Sequence, residues 1–366
     1  MKNRFVFVYL FLLVSSSVFA QQIEISKKND SLNLFIITTD GFRWQEVFEG
    51  ADSAIINDER YTPDTATVKS MYWSDAGVNE RRKKLFPFFW NVIASKGQLY
   101  GNRNFDNKVN VANLYAFSYP GYSELLTGTI DPFIYSNKRK VNPNINLLEY
   151  LDGKEKFHGK VVAFTSWNVF PYILGKKRNE LQLNSGYEMI TGDSLSENEN
   201  RINAVQSMSD TQISTRNDRL TFIAAKEFAK KNHPRVLFIG LGETDEYAHH
   251  GRYDIYLEKA AEVDRMIAEL WHWAQTTPGY KNNTVFLVTT DHGRGASSSA
   301  WRAHGPLTKG SSQTWMACIG PGIDAAGEMK TDEQYYTKQL ASTFARLLGV
   351  DFKNSNSTIG SVAGKE

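Results

Sequence analysis

Five continuous apolar runs punctuate the chain: Leu32–Thr39, Val161–Ser166, Val236–Leu241, Thr284–Thr290 and Trp315–Gly320. Continuity without alternation predicts strands buried on both faces, as in parallel sheets. Amphipathic stretches lie between them. Asp254–Gln275 is the clearest, with Tyr256, Leu257, Ala260, Val263, Met266, Ile267, Leu270 and Trp271 on one stripe. Leu85–Ser95, Asp218–Lys231 and Glu333–Leu348 are also predicted helices, the last stopped by Gly349. Strands alternating with helices predict an α/β sandwich with helices on both faces of a mostly parallel sheet. Residues 44–84 and 168–215 are polar and break this rhythm. They are expected to be excursions that form a small cap at the mouth of the sheet, within one domain over 21–366.

The first twenty residues read differently. Lys2 and Arg4 precede an apolar run, Phe5 to Val14, and Val18 and Ala20 suit a cut between Ala20 and Gln21. This is the pattern of a secretory signal peptide, so the protein is expected to be exported, periplasmic or secreted, with no membrane anchor after cleavage. Removal takes away two cations and no anion, leaving 40 basic against 40 acidic residues. A neutral chain offers no evident nucleic-acid-binding surface. The single Cys318 lies in a buried run and forms no internal disulfide. Composition is that of an ordinary globular protein, 41% hydrophobic and 22% charged, which excludes global disorder.

In open α/β sheets ligands bind at the carboxyl ends of the strands. The first run ends in Asp40, the third leads into Asp245 and His249, and the fourth ends in Asp291-His292; His304 follows shortly. One Asp after a strand is ordinarily a turn or helix cap. Three Asp and three of the chain's seven His converging on one edge are a different matter. Such oxygen and imidazole donors suit two divalent ions, zinc by type. Paired ions clamp the attacking and leaving oxygens of an in-line displacement, which calls for a nucleophile. Ser118, two residues before Pro120, is expected at a helix N-terminus, a natural anion site. Taken alone it is an N-cap serine; beside metal ligands it is a nucleophile candidate.

The pieces Thr39-Asp40-Gly41-Phe42-Arg43, Ser118-Tyr119-Pro120-Gly121, Asp245-x-x-x-His249, Thr290-Asp291-His292-Gly293 and His304-Gly305 stand in order. In them the chain resembles the alkaline phosphatase superfamily, most closely its type I phosphodiesterase/nucleotide pyrophosphatase-like branch. The resemblance implies an alkaline-phosphatase-like three-layer sandwich. It implies one zinc held by Asp40, Asp291 and His292, a second by Asp245, His249 and His304, and a covalent phosphoserine on Ser118. The expected function is hydrolysis of a small phosphate ester, monoester or diester. Sulfate or phosphonate ester hydrolysis, phosphotransfer and a glycan- or surface-binding role on an inactive fold are the alternatives. Sulfatases of the formylglycine type need Arg where this chain has Tyr122. Asn113, Arg43, Tyr119 and Trp167 are the expected substrate contacts; Arg302 and Lys309 flank His304 and are candidates for a second phosphate.

Overall fold

A computed structural model of the chain describes residues 31–208, 214–352 and 358–363, so the expected signal peptide at 1–20 lies outside the described residues. Strand β1 (Asn33–Thr39) sits centrally, flanked by β6 (Val236–Leu241) and β7 (Thr284–Thr289), both parallel to it. Beyond β6 come β4 (Val161–Thr165) and β5 (Gln182–Ser185), also parallel. Beyond β7 come β9 (Met316–Ile319), β2 (Gly97–Tyr100) and β10 (Gly327–Glu328), completing eight strands.

Successive side chains of β1 point to opposite faces. Phe35 and Ile37 enter one apolar cluster, under the helices Asp218–Asn232 and Tyr253–Thr276. Leu34 and Ile36 enter the other, under Ser118–Thr127 and Leu340–Leu347. Helices on both faces make the three-layer sandwich that the runs predict. Segment 44–84 supplies short helices, and its Val47, Phe48, Ile55, Ile56 and Val68 join the first cluster. Within 168–215, Gln182–Ser185 is an edge strand of the sheet itself.

Three expectations need correction. The fifth apolar run forms β9, which runs antiparallel to both β7 and β2. No crossover helix separates it from β7, so the chain turns back from the edge at which β7 ends. The connecting loop therefore stays at the carboxyl edge and keeps His304 beside Asp291 and His292. Glu333–Leu348 is not one helix: β11 (Glu333–Tyr336) pairs with β3 (Asn107–Asn110) in a second sheet with β8 (Gln313–Thr314), and the helix covers Leu340–Leu347. Leu85–Ser95 is broken at Phe86-Pro87, where proline disfavours helix in the residue before it; the chain re-forms a π-helical turn at Phe89–Ile93. Asp264 on the long helix accepts from the Phe88 and Phe89 N–H groups at 2.8 and 3.0 Å and so starts that turn.

Candidate active site

Register places Thr38 beside both Gly240 and Thr289, so β1, β6 and β7 end together. Their exits are tied by hydroxyls. Thr244 Oγ1 donates to the Asp40 carbonyl at 2.6 Å, and Phe42 N–H donates to Thr290 Oγ1 at 3.0 Å. Gly41 N–H donates to Asp291 Oδ1 at 2.9 Å. Gly41 has φ +55°, and a Cβ there would lie 2.7 Å from Asp245 Oδ1, so only glycine lets the three exits converge.

Ser118 begins its helix with Phe117 as N-cap, and Gly121 N–H donates back to the Phe117 carbonyl at 2.9 Å. A Cβ on Gly121 would stand 2.3 Å from the Asp291 carbonyl oxygen, which explains the glycine after Pro120. The close approach puts Ser118 Oγ 3.3 Å from Asp40 Oδ1 and 3.2 Å from His292 Nε2. Ala116, two residues earlier, takes the left-handed conformation at φ +46°. Its N–H donates to Asn113 Oδ1 and its carbonyl accepts from His304 Nδ1, both at 2.9 Å. These bonds hold a conformation that costs a residue with a side chain about 1 kcal/mol or more.

His292 is fully buried, with Nε2 at 3.4 Å from Asp40 Oδ1 and 3.5 Å from Asp291 Oδ2. Its Nδ1 sits 2.9 Å from the Gly293 carbonyl, which places a proton there and turns Nε2 toward the carboxylates. His304 likewise spends Nδ1 on Ala116 and turns Nε2 to His249 Nε2 at 3.1 Å; His249 Nε2 is 3.2 Å from Asp245 Oδ2. The rings of His292 and His304 stack at 4.0 Å. Burial lifts the Asp291 carboxyl to about 8, with the Asp40 charge adding to it. Burial works against the His292 imidazolium, but Asp291 and then Asp40 outweigh it and raise it to about 9. Burial drives His304 far below the ordinary histidine range, helped by His292 and Arg294. Burial, then His292, lowers His249.

The residues fit metal ions. Asp291 Oδ2 is buried without a hydrogen-bond partner, and the Nε2 atoms of His249 and His304 face each other at 3.1 Å. Ligand atoms of Asp40, Asp291 and His292 lie within 4.8 Å of one another, as do those of Asp245, His292 and His304. His292 thus lies between two clusters.

The structure corrects two expected substrate contacts. Arg43 is fully buried, with its guanidinium bound to Glu46, Asp52 and the Gly295 carbonyl, so it braces the chain after Asp40. Asn113 gives its amide to Glu124 Oε2 at 2.9 Å and its oxygen to the Tyr115 and Ala116 N–H groups, so it shapes the loop that leads into Ser118. Tyr119 donates its hydroxyl to the Lys140 and Tyr172 carbonyls, while its ring lines a cavity of about 110 Å³ with Lys138 and Lys140. Trp167 is half-buried against Phe170. Arg302 lines a cavity of about 380 Å³ with Tyr61, His249 and His304. Sequence reasoning missed Arg294 and Asn137. Arg294, fully buried, bonds the Gly41 carbonyl, the Arg302 carbonyl and the Asp245 carboxylate, linking three parts of the site. Exposed Asn137 accepts from the Tyr119 N–H at 2.9 Å. Neither sits in a motif that would have marked it.

No curated protein sequence matches the chain. The solved structure of the alkaline phosphatase PafA is similar, with TM-score 0.57 and 11% identity over 91% of this chain and 99% of that one. So is a phosphonate monoester hydrolase of Agrobacterium radiobacter, with TM-score 0.55 and 11% identity over 92% and 78%. The lipoteichoic acid synthase LtaP of Listeria monocytogenes follows at 0.53 and 12%, over 92% and 76%. These likenesses show the alkaline-phosphatase-like fold. The family model described as type I phosphodiesterase/nucleotide pyrophosphatase matches residues 51–308, a span that takes in Ser118, Asp245, His249, Asp291, His292 and His304. The chain belongs to this type I phosphodiesterase/nucleotide pyrophosphatase family.

Proposed function

We propose that the protein is an exported hydrolase of phosphate esters that uses two divalent ions, zinc by donor type, and Ser118 as nucleophile. The observation that carries this reading is the position of Ser118 Oγ, 3.2–3.3 Å from His292 and Asp40 at a helix N-terminus. Asp40, Asp291 and His292 would hold one ion, and Asp245, His249 and His304 the other. When bound, such ions favour an ionised hydroxyl and offset the charge of the phosphoryl oxygens.

The Ser118 hydroxyl loses its proton as Oγ bonds to phosphorus, the ester oxygen leaves with its electron pair and takes up a proton, and water later cleaves the seryl phosphate, restoring the hydroxyl and releasing the phosphoryl product. The helix N-terminus aims N–H groups at the phosphoryl oxygens. Arg294 holds Asp245 and the Gly41 turn in place throughout. Tyr122, fully buried against Phe170, stands where formylglycine sulfatases carry Arg, which speaks against sulfate hydrolysis by the formylglycine route. Export is proposed on residues 1–20; N-terminal sequencing of the secreted protein is expected to begin at Gln21. Among the described residues no helix is long and apolar enough to cross a membrane.

The test uses zinc-loaded protein on an aryl phosphate monoester, an aryl phosphate diester and an aryl sulfate. Phosphate esters are expected to turn over. Acid quenching should trap a phosphoryl group on Ser118, seen by mass spectrometry. Ser118→Ala should lower kcat by roughly 1,000-fold or more with the fold intact. Near-normal turnover by that variant overturns the nucleophile assignment.

A further inference from the structure

Leu307 is 99% exposed and Leu114 82% exposed, the two extremes among the large apolar side chains of the described residues. Solvated leucines are unremarkable singly, but a group of them marks a binding surface. These two line one trough of about 1010 Å³, together with Ile130 and Tyr336. The trough runs between residues 111–116, which lead into Ser118, and residues 305–313, which follow His304. The two walls are tied where His304 Nδ1 bonds the Ala116 carbonyl, so the trough adjoins the loops that carry Ser118 and His304.

Its floor is fixed. The buried Glu124 carboxylate accepts from the Ala112 and Asn113 N–H groups on one wall and from Thr337 Oγ1 and Lys338 N–H below Tyr336. With Asn113 holding the next turn, Leu114 stays directed outward without reaching the core. Charge is one-sided: Lys309 and Lys338 line the trough, and no Asp or Glu does. A cationic apolar ligand is disfavoured; an anionic one is matched.

We propose that this trough is a subsite for an apolar substituent of the substrate, making the preferred class an anionic phosphate diester with a hydrocarbon chain as its second group. The proposal rests on Ser118 being the nucleophile, since that places the ester phosphorus where its substituent reaches the trough.

The test compares methyl p-nitrophenyl phosphate with hexyl p-nitrophenyl phosphate on the zinc-loaded protein. Both release the same leaving group, so the ratio of kcat/KM reports the second substituent. The expected ratio is roughly 10- to 100-fold in favour of hexyl. It should fall towards 1 in the double variant Leu114→Ser/Leu307→Ser and persist in Met208→Ser, which alters an exposed apolar residue outside the trough. A ratio near 1 in the unaltered protein, or one that survives the double variant, overturns the subsite. Calorimetry with methylphosphonate and hexylphosphonate separates this from failure of the nucleophile reading. If neither ester turns over, tighter hexylphosphonate binding that the double variant loses still supports the subsite, and equal binding rejects it. Binding to phosphatidylglycerol vesicles that the double variant loses, with no hexyl preference, would assign the leucines to a lipid surface and overturn the proposal.

Discussion

At the residue scale, the site depends on one missing carbon. Gly121 allows the Ser118 helix to rest on the Asp291 backbone, where an added Cβ would be 2.3 Å from a carbonyl oxygen. Gly121→Ala must move the helix away. A displacement of about 1 Å at a reacting atom costs roughly 100-fold in rate. We expect a loss of at least that order in kcat/KM for an aryl phosphate diester, with circular dichroism unchanged; full activity would contradict the packing account. Asp291 bears the metal question, because its Oδ2 is buried without a hydrogen-bond partner. Asp291→Asn puts an amide donor there and should lower bound zinc by about one ion per chain after dialysis, read by elemental analysis. Undiminished zinc would remove Asp291 from the ligand set. Asp40, Asp291 and His292 were legible because they follow strand ends, Ser118 because it opens a helix, and Asp245, His249 and His304 because their motif pieces stand in order with these. Arg294 was not, since its role exists only through Gly41, Asp245 and Arg302, which lie far apart in the chain or bond through backbone carbonyls.

At the element scale, strand direction and helix limits are set by partners, not by period. The run Met316–Ile319 reads the same in a parallel or an antiparallel sheet; its direction comes from the loop that returns it from the carboxyl edge. Glu333–Tyr336 sits within a helix-like pattern, yet its pairing with Asn107–Asn110 makes it a strand. The Phe89–Ile93 turn depends on Asp264, which takes up two N–H groups from 175 residues or more away. Asp264→Ala leaves both donors buried and unpaired, at about 1–3 kcal/mol each. The urea midpoint should fall accordingly, and an unchanged midpoint would show that the cap contributes nothing.

At the scale of the whole molecule, Asp264 also gives stability a pH dependence. Burial raises its carboxyl from 3.8 to about 7, against the pull of the Phe88 and Phe89 N–H groups. The native state therefore binds this proton more tightly than the unfolded chain. The stability it confers is fully present below the ordinary carboxylate value and is lost as pH rises through about 7. The contribution to the slope is at most about 1.4 kcal/mol per pH unit between those limits. Unfolding midpoints measured at steps across that range should decline, and Asp264→Asn should flatten the decline. An identical slope in the variant would rule out Asp264 as its source.

The sequence by itself determined the layered α/β architecture and which Asp, His and Ser residues meet at the carboxyl edge of the sheet. Apolar continuity selects buried strands wherever the chain folds, and motif residues follow those strands directly. Tertiary structure decided what each neighbouring residue does. Arg43 and Asn113 stand in or near the motifs yet spend their donors on Glu46, Asp52 and Glu124, because burial demands partners that local sequence does not reveal. It also decided that Leu114 and Leu307 share one solvent-facing trough, a relation between loops almost two hundred residues apart. Side-chain type is local information; which side chains meet depends on long-range register and close approach.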